Sequence, residues 1–236
     1  MQTGEKVMNA EAFTGRAKAY AKTRPGYPDE AVDYIRNLVP STAVFADIGA
    51  GTGKFTAIIA KYGYKIFAVE PNVDMREQLA DTLEAFPNIK IVNGLAEDTM
   101  LPDCSVDVIV CAQALGWFDL KAFREECCRI GKSGAFVVSI YNDIPNDNFV
   151  PRNNRLTNKQ ATDLFFENPI MREFSNPIFY TRERWIQYNE SISDNPQPFD
   201  AGYDKHIAKV NMIFDHKNVN GLICHDLVTR VFSENL

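Results

Sequence analysis

The chain has 236 residues, 45% of them hydrophobic and 24% charged, a balance that suits a globular protein with one sizeable α/β core. Its net charge of −6 comes without any run of Lys and Arg, which argues against a nucleic-acid surface. No apolar stretch approaches the ~20 residues that span a bilayer, and the opening MQTGEKVMNAEAF lacks the apolar core of a signal peptide. Five cysteines (Cys104, Cys111, Cys127, Cys128, Cys224) show neither metal nor disulfide spacing, so reduced thiols in a cytoplasmic protein without a metal are expected.

Residues up to about Ala12 read as a tail. Residues 13–40 read as a helical cap: Pro25 and Pro28 divide it, and Ala31, Val32, Ile35 and Leu38 give a helix from about Asp29 one apolar face. Then comes AVFADIGAGTGK, Ala43 to Lys54: an apolar strand, Asp47, glycines at alternate positions (Gly49, Gly51, Gly53), and a helix start. Glycines belong where backbone turns tightly, takes positive φ or approaches a ligand, and strand–loop–helix is the nucleotide corner of an open α/β sheet. A phosphate-binding P-loop fails, because Phe55 replaces the hydroxyl residue and Ile48 the first glycine. The dinucleotide fingerprint fails too, because its third glycine would fall on Lys54. The spacing of DIGAGTG resembles motif I of class I S-adenosylmethionine-dependent methyltransferases. That resemblance implies an α/β, Rossmann-like doubly wound sheet of seven strands with the last antiparallel, in a single domain spanning 1–236. It also implies S-adenosylmethionine as cofactor, held by Asp47, Gly49, Ala50, Gly51, Thr52 and Gly53.

Phe55, Ile58, Ile59 and Tyr62 mark one face of the helix that follows. YKIFAVEPN is a second strand ending at Glu70-Pro71, where an acid is placed to accept hydrogen bonds from ribose hydroxyls of NAD and S-adenosylmethionine alike. Asn72 and Asp74 suit the next helix as caps. Met75 on that helix is either an adenine contact or a core methionine. Ala96 and Glu97 follow strand three, where the resemblance implies the adenine; a solvated loop acid is the alternative for Glu97. Strand four, VDVIVCAQAL, delivers Gln113 and Ala114 to the ligand edge.

The order Phe13, Tyr20, Arg24-Pro25, Tyr27-Pro28 and the run from Leu101 to Asp119 resemble the type 11 small-molecule methyltransferases. The resemblance gives Arg24, with Tyr20 beside it, the methionine carboxylate of the cofactor by paired hydrogen bonds. In that family strand four is followed by His-Trp-Phe-Asp; here Gly116 stands in place of the histidine, before Trp117, Phe118 and Asp119. The obvious general base is therefore missing and the catalytic residue is unassigned. Trp117 and Phe118 can wall the pocket and favour a cationic sulfonium, although core packing explains Phe118 equally well.

AFVVSIYND, apolar throughout, reads as a fifth strand covered on both faces, with Tyr141 at its substrate end. Residues 142–177, rich in Asn, Pro and charge, read as a helical lid inserted after strand five. Arg152, Arg155 and Arg172 there are surface arginines able to meet an anion. A short strand and helix in NPIFYTRERW, a helix over Asp200 to Phe214 and a last strand in LICHDLVTRVF complete the chain. Lacking the histidine, the protein is expected to methylate a small molecule that is already nucleophilic or anionic, with no nucleic-acid or membrane partner and its oligomeric state open. His206, His216 and His225 fall late and read as packed or surface residues. An NAD-type oxidoreductase and a non-catalytic cofactor-binding protein remain as alternatives.

Overall fold

The computed structural model describes residues 24–145, 156–192 and 195–236. Helix α1 (Asp29–Arg36) follows Pro28, and Asp29 and Glu30 place negative charge in its first turn, where the helix dipole favours it. Strands and helices then alternate: β1 (Val44–Ile48), α2 (Lys54–Ala60), β2 (Lys65–Val69), α3 (Val73–Leu83), β3 (Ile89–Val92) and β4 (Val106–Ala112). A 3-10 turn (Leu115–Trp117), α4 (Leu120–Ile130) and β5 (Gly131–Asp143) follow. The remainder is α5 (Asn158–Phe165), β6 (Ile170–Ser175), β7 (Ile178–Tyr180), α6 (Arg182–Glu190), α7 (Tyr203–Lys217), β8 (Ile223–His225) and β9 (Val228–Asn235).

Seven strands form the main sheet in the order β3-β2-β1-β4-β5-β9-β6. Strands β1 to β5 pair parallel, and β9 runs antiparallel between β5 and β6, as expected of the last strand. Both sheet faces are covered, so the central strands are apolar on both sides, with Asp47 in β1 and Asp107 in β4 as exceptions. Ala46, Ile48, Ile109, Cys111 and Val137 pack against Phe123, Cys127 and Ile130 of α4 and Ala161 and Phe165 of α5. On the opposite face Phe45, Val108, Val110, Val138 and Ile140 pack against Ala31, Val32 and Ile35 of α1 and Phe55 and Ile59 of α2. The strand order reverses between β1 and β4, which sets their C-terminal ends side by side and opens the crevice where ligands bind in such sheets.

Two stretches differ from the sequence reading. Residues 142–177 do not form only a helical lid: α5 covers the sheet face, and Ile170–Ser175 becomes its outermost strand by pairing with β9. The layer outside the sheet is built instead from β7, α6, α7 and β8, a lobe with its own core of Tyr180, Trp185, Val210, Phe214 and Ile223. The expected last strand is also two strands. Ile223–His225 pairs with β7 inside the lobe, and Val228–Asn235 joins the main sheet. Among the described residues no helix is long and apolar enough to cross a membrane.

Candidate active site

Gly49, Gly51 and Gly53 take φ values of 70°, 57° and 82°, a region that disfavours any side chain. Gly49 is demanded by space as well. A Cβ there would lie 2.8 Å from the Ala114 Cβ and 3.1 Å from the Phe118 ring, so the loop after β1 and the turn after β4 close directly on each other. The N–H groups of Gly49 and Ala50 both donate to the Val69 carbonyl, at 2.9 and 3.0 Å, tying the loop to the end of β2. Thr52 is buried within it.

Glu70 leaves β2 at this point and is buried. One carboxylate oxygen accepts the Gly51 N–H and the other the Asn72 N–H, both at 2.9 Å. Burial pushes the pKa of this carboxyl up, and the two N–H groups and the Arg76 charge only partly offset it. The neighbouring Pro71 and Glu70 carbonyls are both bonded by the Arg76 guanidinium. Asn72 caps α3 by accepting the Met75 N–H. Asp47 is deeper still: its Oδ2 accepts the Thr56 hydroxyl at 2.5 Å, and among the described residues its Oδ1 has no hydrogen-bond partner. Burial first, and the Glu70 charge after it, push its pKa up to about 7 against the opposing Thr56 hydroxyl.

The loops after β3 and β4 complete the crevice. Ala96 is buried in the core that faces α4 and α5. Glu97 holds the start of α4, accepting the Asp119 N–H at 2.7 Å. Gln113 sits at φ 61°, a strained value for a residue with a side chain, and its amide oxygen accepts from Asn158 at 2.9 Å. Ala114 is buried against the glycine loop, and Phe118 packs both there and, at 4.9 Å, on the Phe123 ring. Trp117 is half-buried at the end of the 3-10 turn, and Met75 is buried at the start of α3. Tyr141 is buried with its ring stacked on Phe232, and its hydroxyl lies beside the Arg230 guanidinium.

Gly116 has a local reason to be glycine. A Cβ on it would meet the Leu156 carbonyl oxygen at 2.5 Å, because the backbone entering α5 runs across this position. The site where the resembled family carries a histidine is therefore filled by main chain, not left open.

Arg24 reaches the lobe: its guanidinium donates to the Ser191 carbonyl at 3.1 Å and lies 5.7 Å from the Tyr188 ring centroid. Its own carbonyl accepts from the Lys54 ammonium. Tyr20, Arg152 and Arg155 lie outside the described residues. Arg172 lies on β6, over the Tyr34 ring. Sequence reasoning missed Asn158, which bonds Gln113; Lys54, which bonds the Arg24 carbonyl; and the lobe residues Tyr180 and Arg184, which pack on each other. Lys54 carried a signal, as a lysine directly after the loop; the others come from segments with no motif.

Residues 46–139 match the family described as "Methyltransferase domain". An uncharacterized methyltransferase of Mycobacterium tuberculosis is 35% identical over 132 residues, 56% of this chain and 52% of that protein. An uncharacterized methyltransferase-like protein of Schizosaccharomyces pombe is 35% identical over 147 residues, 61% of this chain and 56% of that protein. The chain thus spans about half the length of these relatives. Among solved structures, a putative type II methyltransferase from Anaeromyxobacter dehalogenans superimposes with a TM-score of 0.67 over 90% of this chain and 97% of that one. Its 19% identity makes it a likeness of fold.

Proposed function

We propose that the chain, whose residues 46–139 match a methyltransferase-domain family, binds S-adenosylmethionine in the β1–β4 crevice and methylates a small, anionic acceptor. The buried Glu70 carboxylate carries this reading. Of its roughly four lone-pair positions the N–H groups of Gly51 and Asn72 occupy two. The rest suit a pair of ribose hydroxyls, whose donation would stabilise a carboxylate that burial otherwise disfavours. The unpartnered Asp47 Oδ1 and the left-handed glycines that admit a ligand to the backbone fit the same cofactor.

S-adenosylmethionine supplies an electrophilic methyl on a cationic sulfur and leaves as a neutral thioether. The protein's own contribution is position and dryness. Glu70 orients the ribose, Ala96 and Glu97 flank the adenine side, Arg24 takes the methionine carboxylate, and Trp117, Phe118 and Tyr141 wall the acceptor. The Leu156 carbonyl against Gly116 leaves no room for a side-chain base there. An acceptor that arrives as an anion needs none.

Calorimetric titration with S-adenosylmethionine, in parallel with NAD, tests the cofactor. A micromolar Kd, about −8 kcal/mol, for the sulfonium alone and its weakening in Glu70→Ala are expected; binding of NAD instead overturns the reading. Methylation confined to neutral alcohols would overturn the acceptor class. The filled Gly116 position also favours a second reading, a cofactor-binding protein without turnover, and tight binding with no product across a broad acceptor panel would establish it.

A further inference from the structure

A cluster of cations lies at the seam between the glycine loop and the outer lobe. Lys54, the first residue of α2, turns its ammonium to the Arg24 carbonyl, and the Arg24 guanidinium bonds the Ser191 carbonyl at the end of α6. Arg184 on α6 lies over the Tyr180 ring at 5.7 Å. Lys54 and Arg184 have no carboxylate within ion-pair distance among the described residues. Lys54 is partly buried, where a cation is ordinarily paired, and Arg184 is exposed at the mouth of the seam. Here like charges crowd: the Lys54 ammonium is held below its ordinary pKa by burial first, then by the charges of Arg24 and Arg184. A second observation points to the same place. The Tyr180 side chain is fully buried, and among the described residues its hydroxyl has no hydrogen-bond partner; burial and the neighbouring Tyr188 act on it most, and the charges of Arg184 and Arg24 reach it as well. A buried hydroxyl without a bond beside Lys54 and Arg184, which have no carboxylate among the described residues, is what a bound anion would complete.

We propose that Lys54, Arg184 and the Tyr180 hydroxyl form a carboxylate site at this seam, and that it holds the methyl acceptor. This deepens the methyltransferase reading and rests on it. Two carboxylates could answer the chemistry, that of the cofactor's methionine end and that of the acceptor. The acceptor is favoured because Tyr180 and Arg184 belong to the lobe, outside the residues 46–139 that carry the shared domain.

The test uses succinate as the probe, titrated calorimetrically into the full chain with and without saturating S-adenosylhomocysteine. Arg184 is exposed, so Arg184→Ala is expected to fold, and Tyr180→Phe removes only the hydroxyl. Each variant is titrated with S-adenosylhomocysteine as well. The expected result is succinate affinity reduced about tenfold in Arg184→Ala and about threefold in Tyr180→Phe, partial rescue by Arg184→Lys, and unchanged S-adenosylhomocysteine affinity. Succinate that fails to bind the wild type, or that binds both variants undiminished, overturns the site. Loss of S-adenosylhomocysteine affinity instead would assign these cations to the cofactor and overturn the acceptor assignment. Wild-type protein that binds succinate but not S-adenosylhomocysteine would refute the methyltransferase reading while leaving the anion site standing.

Discussion

Gly116→Ala isolates the main chain that fills the histidine position. The new Cβ would lie 2.5 Å from the Leu156 oxygen, and distances under 3.0 Å are essentially never seen, so that carbonyl must retreat by at least about 0.5 Å. The retreat is resisted locally: Thr157 and Gln160 form a capping box at the start of α5, and Asn158 is tied to Gln113. Overpacking of this kind costs about 1–3 kcal/mol, and the lower unfolded-state entropy of alanine returns about 0.4–1 kcal/mol. A net loss of about 1–2 kcal/mol corresponds to a Tm lowered by roughly 2–8 °C in a chain of this size. Thermal unfolding without ligand measures it, with Gly26→Ala as control, since a Cβ there meets nothing within 4 Å. Gly116→His adds a ring behind the same Cβ and is expected to lower Tm further without restoring a base. A Gly116→His protein with unchanged Tm and a new activity titrating near the ordinary histidine pKa of about 6.5 would refute the reasoning, because the position would then have been open.

Glu70→Gln keeps the volume but loses charge-assisted acceptance at the Gly51 and Asn72 N–H groups. Cofactor affinity is expected to fall about tenfold or more, read by titration calorimetry; an unchanged Kd would remove Glu70 from the site. Asp47, with its pKa pushed up to about 7 in the folded chain, binds a proton that the unfolded chain releases near pH 4. Ligand-free stability is therefore expected to decline as pH rises from about 4 to 7, by at most about 1.4 kcal/mol per unit. Asp47→Asn should flatten that slope in denaturant midpoints, Glu70 leaving a residue of the same sign; an unaltered slope would mean the carboxyl titrates normally. Tyr141→Phe removes a buried hydroxyl whose neighbour is the Arg230 guanidinium, so ligand-free stability should fall by no more than about 1 kcal/mol, while acceptor KM rises if that hydroxyl meets the acceptor. A loss well beyond that would show that the hydroxyl holds the Arg230 network together rather than facing the acceptor.

The glycine-loop half of the protein was legible because its conformational demands are written in contiguous residues. Gly49, Gly51 and Gly53 are needed for positive φ and close approach, whatever packs around them, and Glu70 follows its strand directly. Central strands such as β4 declared themselves by being apolar at both parities. The outer part obeyed no such local rule. Ile170–Ser175 is an edge strand with one neighbour and exposed, partly charged side chains, so its sequence carries no burial pattern to read. In LICHDLVTRVF the alternation runs on through Asp226 and Leu227, and only the pairing partners, β7 before and β5 after, show that the strand breaks.

The cation cluster had still less to show in advance, since Arg24, Lys54, Tyr180 and Arg184 are joined by tertiary packing alone. Gly116 shows the difference at one residue. From sequence its missing side chain reads as a deletion of chemistry; in the fold it is the space that a later segment uses to cross the crevice. That segment leads into α5, whose Asn158 holds Gln113 in its strained conformation. A change in the segment entering α5 therefore reaches the end of the crevice formed by Gln113 and Gly116 through two contacts, the Leu156 carbonyl and the Asn158 amide. Acceptor choice in this chain should accordingly follow α5 and the outer lobe, while cofactor binding stays with the loops after β1 and β2.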